Sequence, residues 1–145
     1  MYQKLQDDMK IYMKNKDSFK LSVVRLLLSD IKNETILKHV DVPSDDLVFQ
    51  VIAKNIKQRE ESIKIYKDIN NVDLAESEEK ELIFLNEFMP QQLSDKELED
   101  IVKLEIGKIN DFKMQDMGKV ISQISKDFPN RVDGRRISDV VRKFL

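Results

Sequence analysis

The residues with the clearest chemical potential lie at the end of the chain, and they are cationic. Five basic side chains in the last sixteen residues, with two lysines before them, could contact phosphate groups: Arg131, Arg135, Arg136, Arg142, Lys143, Lys119 and Lys126. Only Asp133 and Asp139 oppose the five, so this stretch carries three positive charges in excess. Such clusters supply the phosphate contacts of nucleic-acid binding, and the sequence therefore predicts RNA contacts here. A cationic helix end stabilised by its own dipole is the alternative interpretation.

The spacing of these cations predicts how a helix would present them. Arg135 and Arg142 are seven residues apart, as are Arg136 and Lys143, so each pair shares one side of a helix. The apolar positions of the same segment are Ile137, Val140, Val141 and Phe144. The cations are therefore expected on the face opposite the apolar one, where a phosphate backbone could lie.

Residues for catalysis or metal binding are scarce. The chain has no cysteine, and its single histidine, His39, is expected near a helix end, where a dipole contact or a loop position is more typical than a base. Neighbouring carboxylates such as Glu60 and Glu61 point about 100° apart on a helix and cannot converge on one cation. The sequence thus predicts no catalytic residue, no metal site and no cofactor.

Two further groups of cations are candidate binding sites. Lys57 to Arg59 could bind phosphate, but Arg59 falls near the apolar seam of its helix, which favours a salt bridge. The second group forms a weaker positive surface that favours solubility over binding: Lys4, Lys10, Lys14, Lys16 and Lys20.

Composition limits the class of protein. The 145 residues carry a formal net charge of −2, so no global basic field marks a dedicated nucleic-acid binder, and DNA is not an expected partner. The longest apolar stretch, residues 23–28, is interrupted by Arg25 and is far shorter than the roughly 20 residues of a membrane span. The first residues lack the pattern of a signal or transit peptide, so a cytoplasmic location is expected.

Hydrophobic spacing of three and four residues predicts an all-α protein with two helical lobes. The first lobe, residues 1–90, is expected to be a four-helix bundle. Its predicted helices cover about residues 2–15, a segment after Asp17, a long segment from the N-cap Ser44 to Ile69, and a segment opened by Asp73 as the N-cap.

The second lobe, residues 91–145, is expected to hold three shorter helices after a linker at residues 90–93. They are predicted at about residues 94–109, 114–128 and 135–145, with Ser94 as the N-cap of the first. Asn110 suits a left-handed stop, Asp133 suits the N-cap of the last helix, and Gly134 would allow close backbone approach.

Motifs along the whole chain resemble the GatB/YqeY family. They are residues 9–10, 13–14, 16–17, 21–23 with Arg25, 57–59, 61–62 with Tyr66, 73–75, 89–94, 116–120 and 131–134. Asn71 and Asn130 depart from that family's pattern, since arginine and glycine are usual there. Asn130 can still adopt left-handed geometry, whereas Asn71 removes one positive charge from a loop.

The resemblance implies a protein similar to the C-terminal appendage of GatB, a component of the glutamine-dependent amidotransferase that corrects mischarged Glu-tRNA(Gln) and Asp-tRNA(Asn). In that enzyme the appendage helps to hold tRNA, and the carbon–nitrogen ligase chemistry lies in other domains. The expected function is therefore an accessory one, tRNA binding without a catalytic centre of its own. The alternative is a protein-interaction module that docks on an aminoacyl-tRNA synthetase or on part of the amidotransferase, with an uncovered apolar patch on the first lobe. An enzyme acting on amides is a third interpretation, and the absence of a nucleophile paired with a base counts against it.

Overall fold

A computed structural model describes residues 1–145 and confirms the all-α class. The chain forms seven α-helices and one turn of 3-10 helix, Met114–Asp116. The α-helices are α1 (Tyr2–Lys14), α2 (Ser18–Leu37), α3 (Asp45–Asp68), α4 (Val72–Asn86), α5 (Asp95–Gly107), α6 (Met117–Asp127) and α7 (Gly134–Arg142). They group into an N-terminal unit, Met1–Met89, and a C-terminal unit, Pro90–Leu145.

The core of the N-terminal unit is built by aliphatic residues from all four of its helices. Its fully buried members are Leu5, Val24, Leu27, Ile31, Val48, Ile52 and Leu85. One buried polar side chain, Asn55, joins two helices, because its amide donates to Asp30 Oδ2 of α2 at 3.2 Å and to the Val51 carbonyl of α3 at 2.9 Å. A buried amide needs such partners, so this contact helps to fix α3 against α2.

Aromatic rings fill the side of this core that α4 covers. Phe84 stacks edge to face on Tyr12 and on Phe88, with ring centroids 6.0 and 5.1 Å apart, and also contacts Phe19. Phe84 of α4 and Phe88, just after its end, are buried with Leu85, whereas Leu82 and Met89 are only half-buried. Large rings bury more surface than the flanking aliphatics, and this sets the rotation of α4.

Three helices of the N-terminal unit end in the same left-handed turn without glycine. The residue after each C-cap has a positive φ, 55° at Lys16, 55° at His39 and 57° at Asn70. At the end of α3, for example, the Asn70 N–H donates to the Lys67 carbonyl and the Asn71 N–H to the Tyr66 carbonyl. This pattern is the Schellman motif, which usually places glycine at the left-handed position. The first glycine of the chain is Gly107.

The predicted helix starts at serine are confirmed, and the start of α4 is corrected. The hydroxyl of Ser44 accepts from the Leu47 N–H at 3.2 Å, and that of Ser94 from the Glu97 N–H at 3.1 Å. The prediction of Asp73 as the N-cap of α4 was wrong, because the Asn71 side chain, two residues earlier, accepts from the Leu74 N–H. Asn70, which has a positive φ, reverses the chain direction just before Asn71. The helix α4 can therefore begin two residues earlier than the sequence predicted.

The C-terminal unit closes a separate core between its three α-helices. The fully buried members are Leu98, Val102, Val120, Ile124, Ile137 and Val141. The left-handed residue after α5 is Asp111, with φ 55°, and not Asn110 as predicted. The helix ends at Gly107, two residues before the predicted end, so the chain turns in the segment that follows it. Asn130 does adopt left-handed geometry, with φ 62°.

Candidate nucleic-acid interface

Two cations lie on the outer face of α7, directly opposite its buried residues. Arg135 and Arg142 are exposed, seven residues apart, and neither has an ion-pair partner. Asp133 is the N-cap of this helix and accepts from the Arg136 N–H at 2.7 Å, which confirms the predicted cap. A short helix whose inner face is held by Ile137 and Val141 thus presents two guanidinium groups to solvent.

The neighbouring helix α6 presents a second pair in the same manner. Lys119 and Lys126 are seven residues apart, exposed and without an ion pair, on the side opposite the buried Val120 and Ile124. Lys143, at the C-cap of α7, is also exposed and unpaired. We call Lys119, Lys126, Arg135, Arg142 and Lys143 the cationic surface.

The guanidinium of Arg136 is hydrogen-bonded within the protein, unlike that of Arg135. Its Nη2 donates to the Leu93 carbonyl at 2.8 Å and to Asp95 Oδ1 at 3.1 Å, and its side chain is 32% exposed. This arginine therefore ties α7 to the start of α5. Although it is adjacent to Arg135 in sequence, the 100° turn between consecutive helical residues directs it toward the segment before α5.

Arg131 is engaged in a similar way. Its Nε donates to the Gln91 carbonyl at 2.9 Å, and its guanidinium lies 5.9 Å from the centre of the Phe128 ring. The Arg131 carbonyl accepts from the Leu93 N–H at 2.9 Å, and the Gln92 side chain donates to the Asn130 carbonyl at 2.8 Å.

These contacts change the interpretation of residues 90–93, which the sequence predicted to be a linker. Leu93 is buried in the core of the C-terminal unit, and the segment is fastened to the loop between α6 and α7. Five of the seven predicted RNA-contact residues thus form the cationic surface, while Arg131 and Arg136 hold the unit together. Sequence reasoning missed this role because their partners lie about forty residues away.

Acidic groups limit the extent of the cationic surface. Asp139 lies one helical turn from Arg135 and Arg142 on α7, exposed and without an ion pair. A groove of about 250 Å³ between α5 and α7 has carboxylates and cations on its rim. It is lined by Asp95, Leu98, Glu99, Arg136, Asp139, Val140 and Lys143. The groove is electrostatically mixed, so the free positive charge is concentrated on the outer faces of α6 and α7.

Charge is distributed unevenly over the chain. The N-terminal unit has fourteen lysines and arginines against seventeen acidic residues, and the C-terminal unit has eleven against ten. Within the C-terminal unit, α5 carries two cations against five carboxylates, whereas residues 108–145 carry nine against five. A local field of positive sign therefore exists on one part of a nearly neutral protein, where it can attract polyanions.

The other residues considered from the sequence have ordinary surroundings. His39 is exposed at its left-handed position. Arg59 is the predicted salt-bridge partner, with its Nε 2.8 Å from Glu81 Oε2 and 3.3 Å from Glu78 Oε2. Neither contact has hydrogen-bond geometry, so the attraction is that of neighbouring charges. No three His, Asp or Glu side chains are grouped so that they could hold a metal ion.

None of the α-helices combines the length and the apolar composition that a membrane-spanning helix requires.

Comparison with known proteins places this chain in a family. A protein of Vanderwaltozyma polyspora named altered inheritance of mitochondria protein 41, mitochondrial, is 37% identical over 86 residues, which cover 59% of this chain and 46% of that protein. An uncharacterised protein of Schizosaccharomyces pombe is 32% identical over 82 residues, 57% of this chain and 66% of its own length. The matched segment spans about half the length of the Vanderwaltozyma relative and of a similarly named Lachancea protein. The sequence model of the family described as Yqey-like protein matches residues 2–145, and the chain therefore belongs to the YqeY-like protein family.

Proposed function

We propose that this protein is an accessory tRNA-binding protein, associated with glutamine-dependent tRNA amidotransferase function, that contributes binding and no catalytic step of its own. The observation that carries the proposal is the cationic surface. Its five side chains belong to two helices of one small unit, and all are exposed and free of ion pairs. A cation that is paired with a carboxylate must give up that partner before it can bind phosphate. The five cations of this surface have no such partner to give up.

Packing supports the proposal because it holds the cationic side chains on fixed helices. The inner faces of α6 and α7 are buried in the core, and Arg136 and Asp133 secure the start of α7. Helices held in this way fix the backbone positions from which the cationic side chains project, so a phosphate backbone would meet them without a rearrangement of the fold. The link to the amidotransferase reaction comes from the resemblance to the C-terminal appendage of GatB.

A role in tRNA binding fits the cytoplasm expected from the sequence. It fits equally the mitochondrion in the names of the fungal relatives, because both compartments contain tRNA.

The test is binding of the purified protein to total tRNA and to an unrelated RNA of equal length, measured across a salt series. The proposal predicts tighter binding to tRNA, and an affinity that falls steeply as salt rises, because each phosphate contact releases counterions. Absence of binding at low salt, or equal binding to both RNAs, would contradict a tRNA-specific role.

A further inference from the structure

The densest group of exposed aliphatic side chains lies in the N-terminal unit, far in sequence from the cationic surface. At the end of α2 and in the following loop, Ile36 is 61% exposed, Leu37 71%, Val40 42% and Val42 73%. Leu26 of α2 is also exposed on the same side of the helix. Single exposed aliphatics are common, whereas several of them close together are typical of a surface that binds another molecule.

The turn that follows α2 is closed by two backbone hydrogen bonds. His39 donates its N–H to the Ile36 carbonyl at 3.1 Å, and Val40 donates to the Thr35 carbonyl at 3.2 Å. The loop then ends at Pro43, which is buried, immediately before the N-cap Ser44. Both ends of the loop are therefore fixed, and its aliphatic side chains are held in solvent by the backbone.

The outer face of α2 adds positive charge next to these aliphatics. Four residues of α2 lie in one line along the helix, about 16 Å long, because they are separated by four, three and four residues. They are Arg25, Ser29, Lys32 and Ile36. Arg25 and Lys32 are exposed and have no ion-pair partner.

No carboxylate lies on this line. Of the two acidic residues of α2, Glu34 is on another face. Asp30 lies four residues after Leu26 and seven before Leu37, and it is half-buried and accepts a hydrogen bond from Asn55 of α3. Asp41 is the one carboxylate of the loop. Together, Arg25, Leu26, Lys32, Ile36, Leu37, Val40 and Val42 form what we call the α2 surface.

We infer that the α2 surface docks an acidic amphipathic helix of a protein partner. An aliphatic stripe on such a helix would cover Ile36, Leu37 and Leu26, and its flanking carboxylates would meet Arg25 and Lys32. A line of about 16 Å matches roughly three helical turns of the partner. RNA fits less well, since phosphates would satisfy the two cations and leave the aliphatic side chains in water.

This inference goes beyond tRNA binding and rests on different residues. The cationic surface belongs to the C-terminal unit and the α2 surface to the N-terminal unit. Each can therefore be removed by substitution without touching the other.

The experiment uses the intact, ¹⁵N-labelled chain and synthetic peptides of about eighteen residues, or five helical turns. The first peptide has leucine at alternating spacings of three and four with glutamate beside each leucine. The second has lysine in place of glutamate, and the third is a scramble of the first with no amphipathic face. The first peptide is expected to shift the backbone amide signals of the α2 surface, and the other two are not.

Paired variants assign the contact. Arg25→Glu with Lys32→Glu is expected to weaken binding of the acidic peptide about tenfold, as reversal of two exposed charges should. The matched control, Lys54→Glu with Lys64→Glu on α3, changes the same charge at exposed positions without ion pairs and should leave binding unchanged. Ile36→Ser with Leu37→Ser should also weaken binding by about tenfold or more, through lost apolar burial.

Several outcomes would overturn the inference. They are no shift on the α2 surface with the acidic peptide, equal affinity of the charge-reversed variant, or equal binding of the lysine peptide. Shifts of the α2 surface on addition of tRNA would instead identify it as an RNA contact. Loss of peptide binding with tRNA binding intact, or the reverse, separates this inference from the proposed function.

Discussion

Arg135 and Arg136 are neighbours in the chain with different surroundings. Arg135 is exposed and unpaired, whereas Arg136 donates to the Leu93 carbonyl and to Asp95. The same residue type at consecutive positions can therefore be free in solvent at one and held by hydrogen bonds at the other. The seven-residue spacing in the sequence predicted the outward direction of Arg135 and Arg142, but it could not show what Arg136 meets.

Substitution of each arginine by glutamine should separate these roles. Arg136→Gln removes a charge-assisted hydrogen bond to a backbone carbonyl and should lower the free energy of unfolding by about 1 to 2 kcal/mol. Arg135→Gln should change the free energy of unfolding by less than about 0.5 kcal/mol and weaken RNA binding. Urea denaturation and RNA titration of both variants measure this difference. Equal stability of the two variants would refute the structural role of Arg136.

Lys16 occupies a left-handed position that glycine would adopt without a steric penalty. Lys16→Gly is therefore expected to raise the free energy of unfolding by about 1 kcal/mol. Lys16→Ala removes the same side chain and charge but keeps the Cβ, so it serves as the control and should stay within about 0.5 kcal/mol of the parent protein. Urea denaturation tests both. A glycine variant no more stable than the alanine variant would show that φ of 55° at this residue carries no strain.

At the scale of elements, the capping side chains named by the sequence define most helix starts, and the backbone conformation of a preceding residue defines the start of α4. Ser44, Ser94 and Asp133 were predicted as N-caps, and each accepts from a backbone N–H three residues ahead. The start of α4 was misplaced because Asn71 competes with Asp73, and the left-handed Asn70 decides between them. The capping pattern of the sequence does not show that Asn70 adopts a positive φ, so it cannot decide between Asn71 and Asp73 as the N-cap.

The two serine caps provide matched tests of the two units. Ser94→Ala should lower the free energy of unfolding of the C-terminal unit by about 1 kcal/mol. If α5 exchanges its amide protons when that whole unit unfolds, the protection of those amides should fall about fivefold. Ser44→Ala should do the same for α3. Hydrogen exchange followed residue by residue measures both. Protection lost equally in both units after either substitution would show that the units do not open separately.

At the scale of the whole molecule, the two helical units and their separate cores follow from the hydrophobic pattern. The fastening of residues 90–93 does not, because Gln91, Gln92 and Leu93 meet partners beyond residue 129. Two of the seven candidate RNA-contact residues, Arg131 and Arg136, make hydrogen bonds within the unit. The other five are exposed cations without ion pairs, on α6, on α7 and at the C-cap of α7.

The central claim is that this surface binds the phosphate backbone of tRNA. The most direct test compares the salt dependence of tRNA binding by the parent protein and by a variant with Lys119, Lys126, Arg135 and Arg142 changed to glutamine. The control changes Lys10, Lys14, Lys54 and Lys64, which are exposed and unpaired in the N-terminal unit. We predict that the first variant loses about three from the slope of log affinity against log salt, with affinity lower by about tenfold or more at low salt. The control should keep the parent slope. An unchanged slope in the first variant, or an equal loss in both, would contradict the assignment.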